Sequence, residues 1–210
     1  MRLVYILAAM VIGCGAASAQ TQDIYKPKMT KAEATSYLKR NNMAILPDYL
    51  PQVIMGGNVD ALEALVVAGL DLKAKGSFPQ TPLDLAALSC SPGTRIKQED
   101  TLRMIDLLLG GGVDPNQEGM AGLSALMIAA QQQCPPIVIK RLLAGGAKLE
   151  ARTPQGVTPL SMALIVTNYD GAEALIEAGA RLSPEVGKKL LTTADNPRLV
   201  DLVARATAGK

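Results

Sequence analysis

Two cysteines, Cys90 and Cys134, are the side chains in the body of this 210-residue chain best suited to covalent chemistry; a third, Cys14, lies near its start. A thiol pair can hold a metal, exchange electrons or close into a disulfide. The chain has no histidine, which removes imidazole ligands and every mechanism built on an imidazole base. The two thiols are not in C-x-x-C spacing, so redox catalysis is a poor fit. No G-x-S-x-G elbow, zinc signature or phosphate loop occurs, and these are the motifs that carry nucleophiles, metals and nucleotides. Asp71 and Asp114 are expected to satisfy turn backbone, and Asp84 to act as a capping acid. The chain is therefore read as no enzyme, with no cofactor and no metal.

Whether the thiols pair depends on the compartment. The segment "MRLVYILAAMVIGCGAASAQ" has Arg2, an apolar run from Leu3 to Ile12, and small residues ending Ala17-Ser18-Ala19. That is the layout of a secretory signal peptide over residues 1–19, with cleavage before Gln20. The apolar run falls short of the ~20 residues needed to span a bilayer. A rival reading is the lipobox Val11-Ile12-Gly13-Cys14, which would leave a lipid anchor on Cys14. No Asn-x-Ser/Thr sequon occurs, which leans towards a bacterial periplasm. An oxidising compartment and an even count of remaining cysteines favour a Cys90–Cys134 disulfide. Stacked helices lie about 8–10 Å apart, beyond the roughly 7 Å that bridged Cα atoms tolerate. The bond therefore requires departures at Ser91-Pro92-Gly93 and Pro135-Pro136.

The elements that would position these residues follow from a repeat. Thr81-Pro82-Leu83, Ser124-Ala125-Leu126 and Thr158-Pro159-Leu160 echo one another, with a weaker copy at Asp48-Tyr49-Leu50. Gly69, Gly112, Gly146 and Gly179 form an independent series. Both fit one unit of about 33 residues with a single ten-residue insertion near residues 91–100. In each unit Thr or Ser caps a first short helix and Pro suits its first position. A second helix follows, with apolar residues at helical spacing such as Leu62, Leu65 and Val66 or Ile139, Leu142 and Leu143. The glycine closes it in the left-handed conformation. Trp is absent and Phe occurs once, so the core must be aliphatic, which suits closely stacked helices.

The phrases "TPLDLAA", "SALMIAA" and "TPLSMAL", with "ALVVAGLDL" and "LLAGGAKLEA" closing units, resemble the ankyrin repeat. The resemblance implies an all-α ankyrin-repeat solenoid of stacked helix pairs with β-hairpin fingers. Four repeats would fill residues 48–182, starting near 48, 81, 124 and 158. A capping helix is expected over 30–47 after a leader at 20–29, and a capping helix pair over 183–210. The histidine of the family motif is replaced by Pro51, Asp84, Met127 and Ser161.

The resemblance further implies a non-enzymatic module that grips another protein with its finger tips and concave face. Carried over position by position, that surface is Lys75, Ser77, Phe78 and Gln80 in the first finger. The second offers Glu118, Met120 and Leu123, the third Arg152 and Gln155, and the helices Leu88, Gln131 and Gln132. Phe78 stands out as the one Phe in the chain, placed at a turn tip. The formal charge of +2 carries no long run of one sign, so nucleic acid is not an expected partner. The expected role is a scaffold in the bacterial periplasm. An immunity or inhibitor protein occluding a periplasm-acting toxin or hydrolase is the alternative.

Overall fold

The computed structural model describes residues 27–74, 76–192 and 196–208. The signal peptide, Cys14, most of the leader and Lys75 lie outside the described residues. Eleven α-helices occur among those described: α1 (Lys31–Arg40), α2 (Leu50–Met55), α3 (Val59–Ala68), α4 (Pro82–Leu88), α5 (Gln98–Gly110), α6 (Ala125–Gln131), α7 (Pro136–Ala144), α8 (Pro159–Ile165), α9 (Tyr169–Glu177), α10 (Pro184–Leu191) and α11 (Pro197–Thr207). They stack in two rows. The inner row runs α2, α4, α6, α8, α10, and the outer row runs α1, α3, α5, α7, α9, α11, each helix packing on its row neighbours. From α2 onward, each inner helix also packs on the outer helix that follows it. This is an all-α ankyrin solenoid.

The inner helices have six to eight residues, too few to be stable alone. Their ends and their packing hold them. Thr81 and Thr158 cap α4 and α8 through reciprocal boxes: each accepts the N–H of the third helical residue, Asp84 or Ser161, whose side chain accepts the cap N–H in return. Asp84 and Ser161, two of the residues standing where the family has histidine, thus close the starts of α4 and α8. Ser124 is the exception. The expected cap on α6 does not form, and the buried Ser124 hydroxyl has no partner.

The outer helices supply the larger part of the core. Leu62, Leu65, Met104, Ile105, Leu108, Ile139, Leu142 and Leu175 are fully buried, each contributing about 1.5–3 kcal/mol of hydrophobic stabilisation. Gly69, Gly112, Gly146 and Gly179 all have positive φ, between 81° and 103°, as the helix-ending role requires. The glycine ahead of two of them has a different duty. A Cβ on Gly145 would sit 2.4 Å from Leu109 Cδ1, and one on Gly111 2.4 Å from Leu72 Cδ1. These positions let each unit close on the one before it.

Two features depart from the regular array. Helix α1 has outer-row neighbours but no inner companion, so it is half of a unit, capped by the reciprocal Thr30–Glu33 box. The insertion is divided between two elements. Helix α5 starts fourteen residues before Gly112, whereas α3, α7 and α9 start ten before their own glycines. About one turn of the extra sequence therefore lengthens the helix and only the remainder lengthens the loop.

Candidate interaction surface

The segments joining each outer helix to the next inner helix project as fingers, and no strand occurs in them among the described residues. The hairpins expected from the resemblance are single turns. In finger 3, Thr153 N donates to Val157 O at 3.0 Å and Gly156 N to Thr153 O at 2.8 Å, with Gly156 at φ 79°. In finger 2, Gly119 N donates to Leu123 O at 3.1 Å, and Gly122 has φ 68°. The matching position in finger 1 is Pro79, two residues before Thr81. Its ring fixes φ near −65° and forbids the left-handed turn. No bond of this kind closes finger 1 among the described residues. Instead Ser77 N donates to Asp48 Oδ1 at 2.8 Å, fastening the finger to the preceding unit. That bond holds the Asp48 carboxyl below its ordinary pKa.

The result is an open cleft of about 250 Å³ between finger 1, α2, α4 and finger 2. Its lining mixes polar and apolar groups: Pro47, Leu50, Leu72 and Leu85 contribute, the three leucines almost fully buried, together with Phe78. Phe78 is 52% exposed. Gln80, Gln117 and Glu118 complete the lining. Beneath lies Asp84, fully buried. Desolvation raises its pKa, against the lowering effect of the Thr81 N–H bond. Its Oδ1 has no hydrogen-bond partner. The backbone at Gly119 presses on the other oxygen so closely that a Cβ there would lie 1.9 Å from Oδ2.

A second cleft, of about 210 Å³, lies between fingers 2 and 3, lined by Asn116, Glu118, Lys148 and Arg152 among others. Asn116 stitches the two fingers, donating to Gly146 O at 3.0 Å and accepting from Lys148 N at 2.7 Å. Glu118 faces both clefts.

The structure thus brings Phe78, Gln80 and Glu118 together, and Glu118 with Arg152. Gln131, Arg152 and Gln155 are exposed. Other expected positions are engaged within the protein. Leu88 and Leu123 are half-buried against the core. Gln132 accepts a hydrogen bond from Ser91 Oγ at 2.8 Å, and the Ser77 amide is held by Asp48. Met120 lies in the 3₁₀ turn Met120–Gly122. Met55, Leu88, Gln131 and Ile165 occupy equivalent places near the ends of inner helices, and Met55 and Ile165 are 49% and 61% exposed.

Cys90 and Cys134 form a disulfide with Cα atoms 5.3 Å apart. Stacking distance does not forbid it, because both residues lie past the helix ends and Gln133, at φ 57°, turns the chain there. The bond ties the end of α4 to the end of α6. The adjoining loop reaches in both directions. Ser91 is held by Gln132, and Ile96 folds back over the first unit, where a Cβ on Gly57 would lie 3.0 Å from Ile96 Cγ1.

Sequence reasoning missed two features. Pro79 could have been found by aligning the fingers and asking which lacks the turn glycine. Fully buried Glu63 pairs with Arg103 and accepts the N–H groups of Lys28 and Met29. No local pattern announces that cluster.

A family model described as ankyrin repeats, in three copies, matches residues 94–185. No curated protein matches the chain.

Proposed function

We propose that this ankyrin-repeat solenoid is a non-enzymatic protein-binding module exported to the bacterial periplasm, gripping its partner with fingers 1–3 and the exposed ends of the inner helices. Ankyrin repeats are protein–protein interaction modules, and the match over residues 94–185 supports that class. The observation that carries the site is Phe78, more than half exposed in the lining of the cleft between fingers 1 and 2. A buried apolar patch with an aromatic anchor is where interface energy concentrates. The fingers are preformed, so little ordering entropy opposes binding. The Cys90–Cys134 disulfide supports export, since such bonds persist in oxidising compartments.

Crosslinked capture from envelope extract, comparing wild type with Phe78→Ala, tests the surface. Loss of a specific partner is expected. Recovery of every partner at wild-type level would remove the finger-tip reading. Mass spectrometry of the amino terminus tests export: Gln20 is expected, a lipidated Cys14 would mean export as an anchored lipoprotein, and a retained Met1 counts against export.

A further inference from the structure

We propose that the cleft beside Phe78 is a slot for an arginine side chain carried by an extended segment of the partner protein. This rests on the protein-binding reading above and names the chemistry of the bound segment. An arginine slot needs an apolar channel for the stem, a flat aromatic face for the guanidinium, and an anionic acceptor at the end. Pro47, Pro51, Pro79 and Pro82 offer accessible apolar surface for the stem, and the half-exposed Phe78 shares the same lining.

The acceptor is Glu118. It is exposed, lines the same cleft, and makes no ion pair or hydrogen bond among the described residues. The Gln80 and Gln117 amides add neutral acceptors within the lining.

Two carboxylates, Glu118 and Asp48, stand in or beside the cleft. Asp48 stands by finger 1, close to Gly76. The one described cation in the lining, Lys73, is directed elsewhere. Its Cε and Nζ are the nearest atoms to a Cβ built on Gly112, at 3.6 and 3.7 Å, so its end lies over the close of α5, where helix carbonyls attract positive charge. An acidic segment entering the cleft would meet Glu118 and Asp48, and a purely apolar one would leave Glu118 without a partner. Arginine fits better than lysine because its planar, weakly hydrated guanidinium can stack on the ring and meet a carboxylate edge-on.

The test is a nuclear magnetic resonance titration of the mature protein with N-acetyl-arginine amide. The comparison probe is N-acetyl-citrulline amide, which has the same shape and no charge. The arginine probe is expected to shift the amides of Phe78, Gln80, Leu85 and Glu118 saturably. It should bind at least about fivefold more tightly than the citrulline probe, with a similar loss in Glu118→Gln and in Phe78→Ala. Equal binding of both probes, or unchanged affinity in Glu118→Gln, overturns the slot. Photocrosslinking from benzoylphenylalanine at position 78 in cells separates this from the broader reading. A captured peptide containing arginine at the crosslink supports the slot. A captured peptide without arginine overturns it while leaving protein binding intact.

Discussion

Reducing the Cys90–Cys134 bond should lower stability by an amount its loop length sets. The bond closes a loop of 44 residues, and the chain-entropy relation gives about 4 kcal/mol for a loop of that size. In a protein of this length 1 kcal/mol moves the midpoint by roughly 2–4 °C, so the expected drop in Tm is roughly 8–16 °C. The geometry favours full expression of that figure, because the bond joins the inner-row helices of two neighbouring units rather than two ends within one. It therefore constrains a region that includes all of α5 and finger 2. The assay is a circular-dichroism melt at 222 nm with and without a phosphine reductant, with complete reduction verified by thiol labelling. A Cys90→Ala, Cys134→Ala double variant serves as the control and should melt near the reduced wild type, insensitive to reductant. Oxidised and reduced wild type melting within about 2 °C of each other would refute the reasoning. So would a double variant that still responds to reductant.

Asp84→Asn should raise stability at neutral pH by about 1 kcal/mol, because the desolvated negative charge is removed while the amide oxygen can still accept the Thr81 N–H. The folded carboxyl has a raised pKa, so the stability it contributes is present below the unfolded value and lost as pH rises through the folded one. The gain should accordingly shrink as urea titrations move from pH 7 towards pH 3, and a constant gain would count against this account. Gly119→Ala should cost about 1–3 kcal/mol by driving Asp84 off the Thr81 amide. In an Asp84→Ala background most of that cost should vanish, which a double-mutant cycle checks. Glu63→Ala should destabilise by about 2–3 kcal/mol, at the lower side of a broken buried pair since Arg103 keeps some solvent contact. It should also speed tryptic cleavage at Lys28, read by mass spectrometry. Unchanged cleavage would separate that cluster from the anchoring of the amino end.

The repeat was legible in the sequence because each copy must solve the same local problem. Thr81 and Thr158 start helices, Gly112 and Gly146 end them, and the aliphatic spacing between is forced by a two-row stack. What escaped was whatever depends on a neighbouring layer. Ser124 stands at the cap position of α6 by sequence, yet makes no cap bond. The division of the insertion between α5 and the loop is not decided by length alone. A third of the expected contact surface, Leu88, Leu123, Gln132 and the Ser77 amide, is spent on internal packing and bonding. The sequence marks those positions as outward only on average, and the curvature and loops of this particular chain decide each case.

Helix α1 opens the outer row alone, and the backbone ahead of it is moored at Lys28 and Met29 to Glu63 of the same row. The fingers, by contrast, spring from the far ends of the outer helices. Residues 28 and 29 are thus held on the outer row, apart from the fingers. A fluorophore or bead coupled at position 28 would hold the protein with its palm turned outward, still free to close on whatever it meets.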